Sequence, residues 1–407
     1  MLTPEQNEQF EEIFDELGRS LDISKTQYEA AVTSYEFAGT WLAKEDSPIA
    51  RYEPAVLPQG SFLLGTMIKP VHEEDDLDID LVCQLTGKQE SWTQYDLKQV
   101  VGNRLKANGT LARLLEEEGR RCWTLKHADP ARFHLDILPA IVSKNFKIML
   151  EKSLSEAEIE QAQELAIRIT DQKQTNYRSS RNLSDWLKSN PFGYAAWFKE
   201  RASLDIRKAL ALLEAVQPVP KYQKDKLPLQ RIVQILKRHR DIMFNGDEDK
   251  PISIIITTLA ARAYRKQTNV LDALVDVIDR IPGFIEERYE PTLGRKIKWI
   301  ANPVNLCENF ADKWPGTPKR EEKFYQWLRQ VRMDIENVRK QRGLHHIQEA
   351  LGTPFGKREV ANAFSSIGQK ALRSRESGTM KMAAVTGTLG ASGRTGVLYH
   401  NNFGKNE

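Results

Sequence analysis

The chain has 407 residues, enough for two or three domains at about 150 residues each. Hydrophobic residues make up 40% and charged residues 28%, the balance of a chain able to bury a real core. That balance excludes collagen-like, coiled-coil and wholly disordered readings. The formal net charge of +3 is too small for wrapping nucleic acid, though it leaves room for a local basic pocket.

Cys83, Cys122 and Cys307 lie far apart, which excludes a disulfide framework or a Cys-rich zinc site and fits a reducing compartment. The histidines show no HExxH spacing. The first residues are polar and acidic, unlike a signal peptide, and no apolar run approaches the ~20 residues that span a bilayer. The expectation is a soluble, cytoplasmic protein with no membrane partner.

In chain order, Phe10, Ile13, Phe14 and Leu17 predict a helix over Thr3–Leu17. A second helix is predicted from an Asp22 N-cap to about Lys44. A short extended run, Ala55–Pro58, meets Gly60 and Ser61 and then a short helix. The acidic stretch Glu73–Asp76 leads into Leu77–Val82, whose alternation has the period of a half-buried strand. Helices are predicted at Thr93–Lys106 and Leu111–Glu118, and strands at Arg121–His127 and Arg132–Val142.

Residues 1–150 therefore read as a mixed α/β domain, and 151–373 as mainly helical. Pro228 opens a strong amphipathic helix to Phe244. The apolar run Ile252–Tyr264 is assigned to a buried helix, and Phe324, Trp327, Leu328, Val331, Ile335 and Val338 to another. Residues 374–407 are rich in Gly, Thr and Ser; Ser374–Arg394 is predicted flexible, with Gly396–Gly404 as a short docking motif.

Three elements carry chemistry. Gln59-Gly60-Ser61 at a strand-to-helix turn offers unpaired backbone N–H groups to a phosphate, although alone it also reads as an ordinary N-cap. On a strand, Asp78 and Asp80 share a face and repel each other unless a cation lies between them; hard oxygen ligands favour Mg²⁺ or Mn²⁺. A solvated acidic edge is the competing reading. Asp136 sits in the apolar strand Phe133–Leu138, where an unpaired buried carboxylate is costly and a basic partner is the common explanation. Beside Asp78 and Asp80 it completes a three-carboxylate set for two divalent ions.

Their order resembles the polymerase-β-like nucleotidyltransferases. More closely, Gln59–Thr66 and Leu77–Val82 resemble the bacterial CD-NTases, cyclic-oligonucleotide synthases of anti-phage signalling related to animal cyclic GMP-AMP synthase. Pro228–Asp241, Lys250–Tyr264 and Asn302–Asn305 extend the resemblance to about residue 315.

The resemblance implies an α/β nucleotidyltransferase palm with N-terminal helices (1–150) packed on a helical lobe (151–373), the active site lying between them. It implies that Asp78 and Asp80 hold two Mg²⁺ ions, for which Mn²⁺ substitutes, and that Asp136 holds the catalytic ion and helps deprotonate the attacking hydroxyl. Gln59, Gly60 and Ser61 would bind the donor triphosphate, with Lys237 and Ser253 contacting its phosphates. Asp171 and Tyr177 are the candidates for reading a base.

The implied activity joins ATP, GTP or other NTPs into a cyclic di- or oligonucleotide with release of pyrophosphate, cyclic GMP-AMP being the leading guess. A linear oligonucleotide synthetase, an RNA or small-molecule transferase and a catalytically silent module remain open. No DNA is expected to be needed for activation. The tail, ending Phe403-Gly404-Lys405-Asn406-Glu407, suggests a ubiquitin-transfer-like conjugating enzyme acting at Gly404 once the last three residues are removed; a plain flexible tail is the alternative.

Overall fold

The computed structural model describes residues 2–128, 132–143, 165–204, 222–383, 387, 389–390 and 395–397. Helix α1 (Pro4–Ser20) starts from a reciprocal Thr3–Gln6 capping box with proline in its first turn. Helix α2 (Lys25–Ala43) is capped by Ser24, not by the expected Asp22. The Asp22 carboxylate is drawn away to Lys226 at 2.5 Å and Arg231 at 2.8 Å.

Strand β1 (Ala55–Pro58) turns into the short helix α3 (Gly60–Leu64), and β2 (Leu77–Thr86) follows. Helices α4 (Gln94–Lys106) and α5 (Gly109–Leu114) precede β3 (Trp123–His127) and β4 (Phe133–Val142). The helix expected to reach Glu118 stops early because Leu115 leaves in extended backbone and bridges Leu125.

The sheet does not end near residue 150. Strands β5 (Ile167–Ile169) and β6 (Leu187–Ser189) extend it in the order β1-β2-β4-β5-β6, with β3 also on β4. The α/β region thus continues past the predicted boundary. Only β2 and β4 pair in parallel; the other pairs are antiparallel.

The two sheet faces bury into different cores. On β2, Leu77, Ile79, Leu81, Cys83 and Leu85 pack with α2 and α4. The opposite face carries Asp78 and Asp80, then Val82, which enters the core shared with the helical lobe. One face of one strand therefore runs from a polar site into an apolar interface.

That lobe comprises α6 (Pro191–Ala202), α7 (Pro228–Phe244), α8 (Ser253–Ala263), α9 (Val270–Arg280), α10 (Pro318–Lys340), α11 (Leu344–Phe355) and α12 (Lys357–Glu376). The run after Pro251 is helical despite its β-branched start, with Ile255, Ile256 and Leu259 buried. The lobe also holds an antiparallel hairpin, β7 (Glu286–Glu290) with β8 (Arg295–Trp299), and the short pair β9 (Ala301–Asn302) and β10 (Asn305–Asn309). Helix α1 packs on α7, α9 and α12, so it belongs to this lobe although it begins the chain.

The prediction of flexibility from Ser374 is corrected in its first part. Helix α12 continues to Glu376, and β11 (Lys381–Met382) pairs with β12 (Leu389–Gly390) and β13 (Thr395–Gly396). Met380 and Ala383 are buried, which anchors this segment. Residues 398–407, including Gly404, lie outside the described residues. Among the described residues no helix is long and apolar enough to cross a membrane, and all three cysteines are free.

The Asp22 cluster fastens the connection between α1 and α2 to α7. Arg231 also donates to Gly18 O at 2.8 Å, and Gln234 donates to Asp22 at 2.8 Å. Replacing Asp22 by Ala strands two buried cations and is expected to cost about 3–5 kcal/mol of stability in urea denaturation. A loss below about 1 kcal/mol would class the cluster with ordinary surface pairs.

Candidate active site

At the end of β1 the Gln59 amide donates to Asp80 O at 2.8 Å, fastening the start of α3 to β2. Gly60 has φ +56°, and a Cβ there would meet Asp80 Oδ2 at 2.8 Å. Glycine is thus required twice, for the left-handed backbone and for the close approach. Ser61 follows in the first turn of α3 and lines the cleft.

The parallel register places Asp80 beside Asp136 and Asp78 beside His134. All four side chains therefore share a sheet face. On the far side of β4, Thr124 stands opposite Asp136, and its hydroxyl donates to Asp136 Oδ1 at 2.5 Å. His134 is taken up by Asp76 at 2.8 Å, which Lys126 approaches at 3.4 Å. Burial opposes ionisation of Asp76, but His134 and Lys126 hold its carboxyl below the usual range.

Asp78 and Asp80 reach solvent, yet they lie at the floor of a cleft with protein on either side. Burial, followed by the Asp136 and Asp78 charges, pushes the Asp80 carboxyl up to about 6. Burial also raises Asp78, the negative charge on Asp136 adding to it. Side-by-side carboxylates held under mutual repulsion suit a hard divalent cation. Among the described residues, no group of three or more His, Cys, Asp or Glu side chains is by itself placed to hold a metal ion. Carboxylate oxygens are the donor type that hard divalent cations take, and a cation here would need further oxygens from a ligand.

The cleft measures about 950 Å³. Its floor contains Gly60, Ser61, Asp78, Asp80 and Asp136, and its opposite wall comes from α7, α8 and their connection. On that wall Lys237 is buried and donates to Thr66 O at 3.0 Å. Burial, with Arg240 nearby, pushes its ammonium down to about 7. Ser253 opens α8, and its Oγ accepts from Arg240 Nη1 at 2.9 Å. Asp241 in turn holds Arg240 at 2.8 Å and Lys250 at 3.3 Å. Seven of the ten residues expected at the site line this one cleft, with Gln59 just behind Gly60.

Asp171 and Tyr177 do not line it. Asp171 is fully buried between Arg120 (2.7 Å) and Arg121 (2.8 Å). Burial opposes its ionisation, but the Arg120 hydrogen bond, the Lys173 amide and Arg121 hold it at about 2. Tyr177 packs edge-on against Tyr95. Both make internal contacts away from the lining of this cleft.

Sequence reasoning missed Thr124, Arg240, Asp241 and Lys250, which support or join the site. It also missed how α7 grips the segment between α3 and β2. Gln230 donates to Leu64 O, Gln234 to Met67 O, Lys237 to Thr66 O and Arg238 to Lys69 O, at 2.7–3.0 Å. This row of side chains registers one wall of the cleft against the other. The spacing of these polar residues along α7 was the available signal.

A mixed sheet whose paired acidic residues lie beside a Gly-Ser helix start on the floor of an interlobe cleft is the arrangement of a polymerase-β-like nucleotidyltransferase fold. Residues 54–140 match the family "Cyclic GMP-AMP synthase DncV-like, nucleotidyltransferase domain". Over 364 residues the chain is 28% identical to a c-di-GMP synthase of Roseivirga ehrenbergii, covering 88% of this chain and 86% of that one. Over 389 residues it is 22% identical to the cyclic dinucleotide synthase CdnG of Bradyrhizobium diazoefficiens, covering 88% and 83%. The solved structure of that CD-NTase with GTP superposes with a TM-score of 0.63 at 20% identity, covering 89% of this chain and 100% of the other. The E. coli MS115-1 CdnC structure with ATP matches at a TM-score of 0.56 and 13% identity, over 84% and 96%. Over most of its length the chain is thus similar to bacterial cyclic dinucleotide synthases, and its fold is that of the CD-NTases.

Because Gly60 is needed both for its backbone and for its lack of Cβ, Gly60→Ala is expected to cost about 1–2 kcal/mol in equilibrium unfolding. It should also push the start of α3 away from Asp80 and remove most pyrophosphate release from NTPs. Full activity in this variant would show that the close approach is dispensable.

Proposed function

We propose that the protein is a metal-dependent synthase that joins two nucleoside triphosphates into a cyclic dinucleotide, releasing pyrophosphate at each bond. The observation that carries this reading is the shared face of Asp78, Asp80 and Asp136 beside the Gly60-Ser61 turn. Asp78, Asp80 and Asp136 would hold Mg²⁺ or Mn²⁺, which supplies charge stabilisation at the reacting phosphate and a more acidic attacking hydroxyl.

The chain's own groups divide the remaining work. Gly60 and Ser61 receive the donor phosphates on backbone N–H groups and a hydroxyl. Lys237, Lys250 and Ser253 bring positive charge and a further hydroxyl from the opposite wall. Asp136, steadied by Thr124, is positioned to accept the proton of the attacking hydroxyl. A cleft of about 950 Å³ has room for a pair of nucleotides.

For the product, the named relatives support guanine. The 28%-identical relative is a c-di-GMP synthase, and the CdnG structure holds GTP. We therefore put cyclic di-GMP ahead of cyclic GMP-AMP. Anti-phage signalling is the physiological role that the family implies. Trimming of Lys405–Glu407 and conjugation at Gly404 belongs to the same reading; intact mass from cells that carry the conjugating enzyme tests it, an untrimmed chain overturning it.

Incubation of all four NTPs with Mg²⁺, with and without duplex DNA, followed by phosphatase treatment and mass spectrometry, tests the function. A phosphatase-resistant guanine dinucleotide, formed without DNA, is expected, and Asp78→Asn or Asp80→Asn should abolish pyrophosphate release. A phosphatase-sensitive chain would favour a linear synthetase, and no product would end the proposal.

The raised Asp80 carboxyl sets a pH dependence. Its folded value of about 6 lies above its ordinary 3.8, so the native state binds the extra proton and loses stability as pH rises between those values. In chelator, Asp80→Asn should melt above wild type beyond pH 6, the gap closing as pH falls through 3.8. With Mg²⁺ present, metal affinity should fall as pH drops below about 6. A pH-independent gap would contradict this.

A further inference from the structure

Thr66 follows Gly65, whose φ of +68° ends α3 and turns the chain back over its first turn. The Thr66 amide donates to Ser61 O at 3.0 Å, and its carbonyl accepts from Lys237 Nζ at 3.0 Å. Both backbone groups are therefore fixed, one to the Gly60-Ser61 turn and one to the far lobe. The side chain is 1% exposed. Its Oγ1 nevertheless has no hydrogen-bond partner among the described residues.

A buried hydroxyl without a partner is destabilising, and proteins keep such groups at a rate low enough to require a reason. Other side chains with partnerless buried polar atoms, such as Tyr35, Gln84 and Trp327, lie away from the cleft, whereas Thr66 lines it beside Ser61 and Lys237. Its surroundings also select the ligand chemistry. A hydroxyl next to an ammonium is suited to donate to an anionic oxygen.

We propose that Thr66 is a further nucleotide-binding residue, its hydroxyl donating to a phosphate oxygen of the bound NTP. This rests on the function proposed above and adds to it a contact made from inside the wall of the cleft. Since the Lys237 ammonium holds the same residue by its carbonyl, Thr66 also links the α7 grip to the ligand. Occupancy of the phosphate position is then sensed directly by the segment that joins the lobes.

The isosteric change Thr66→Val removes only the hydroxyl. Calorimetric binding of a non-hydrolysable GTP analogue with Mg²⁺ to the full chain, together with melting of the ligand-free protein, separates the outcomes. Thr66→Val should bind about ten-fold more weakly, with a melting temperature equal to or above wild type. Thr66→Ser should restore affinity to within about three-fold of wild type. Unchanged affinity in Thr66→Val overturns the proposal. So does a lower melting temperature or failure to fold, either of which reveals an internal partner for the hydroxyl. If wild type itself binds no analogue of any of the four NTPs, the proposed function fails and this contact falls with it.

Discussion

The in-register parallel pairing of β2 with β4 is the constraint on which the rest of the site depends. It sets Asp80 against Asp136 and Asp78 against His134, and the two-residue period of a strand then turns every one of these side chains to the same face. A slip of one residue would send Asp136 into the core that holds Leu135 and Ile137 and bring an isoleucine to the cleft. The apolar residues on both faces, Ile79 and Leu81 on one and Val82 on the other, make such a slip expensive. Core packing and catalytic geometry are thereby enforced by the same alternation.

Repulsion among the carboxylates follows from that pairing. The Asp80 carboxyl is raised to about 6, so the arrangement is an unfavourable one that a bound cation would relieve. A second constraint brings the positive wall opposite. Helix α7 fixes the Leu64–Lys69 backbone through Gln230, Gln234, Lys237 and Arg238, and the same helix leads to Arg240 and Asp241. The proposed triphosphate cradle and the opposing cations are thus measured off a single helix.

Much of this was legible in the chain before its structure. Alternation in Leu77–Val82 identified a strand with two carboxylates on one face, and Pro228 marked the start of α7. The site residues were readable because glycine, paired aspartates and an isolated aspartate in an apolar strand are each unusual for their setting. The two short strands Ile167–Ile169 and Leu187–Ser189 were not, since three residues carry no period. Nor was the packing of α1 on α12, a contact between opposite ends of the chain. Asp171 looked available only because nothing in its neighbours along the chain announces Arg120 and Arg121. Gln230, Gln234, Lys237 and Arg238 of α7 are buried because backbone carbonyls of another segment accept their hydrogen bonds, a pairing that lies far along the chain. In the tail, small residues suggested flexibility, whereas Met380 and Ala383 anchor its beginning in the lobe.

The most direct test of the central claim is anomalous diffraction from crystals grown with Mn²⁺ and a non-hydrolysable GTP analogue. Manganese peaks in contact with the carboxylates of Asp78, Asp80 and Asp136, facing the phosphates, are the predicted result. Phosphates bound with no manganese at these three side chains, or manganese held elsewhere in the cleft, would contradict it.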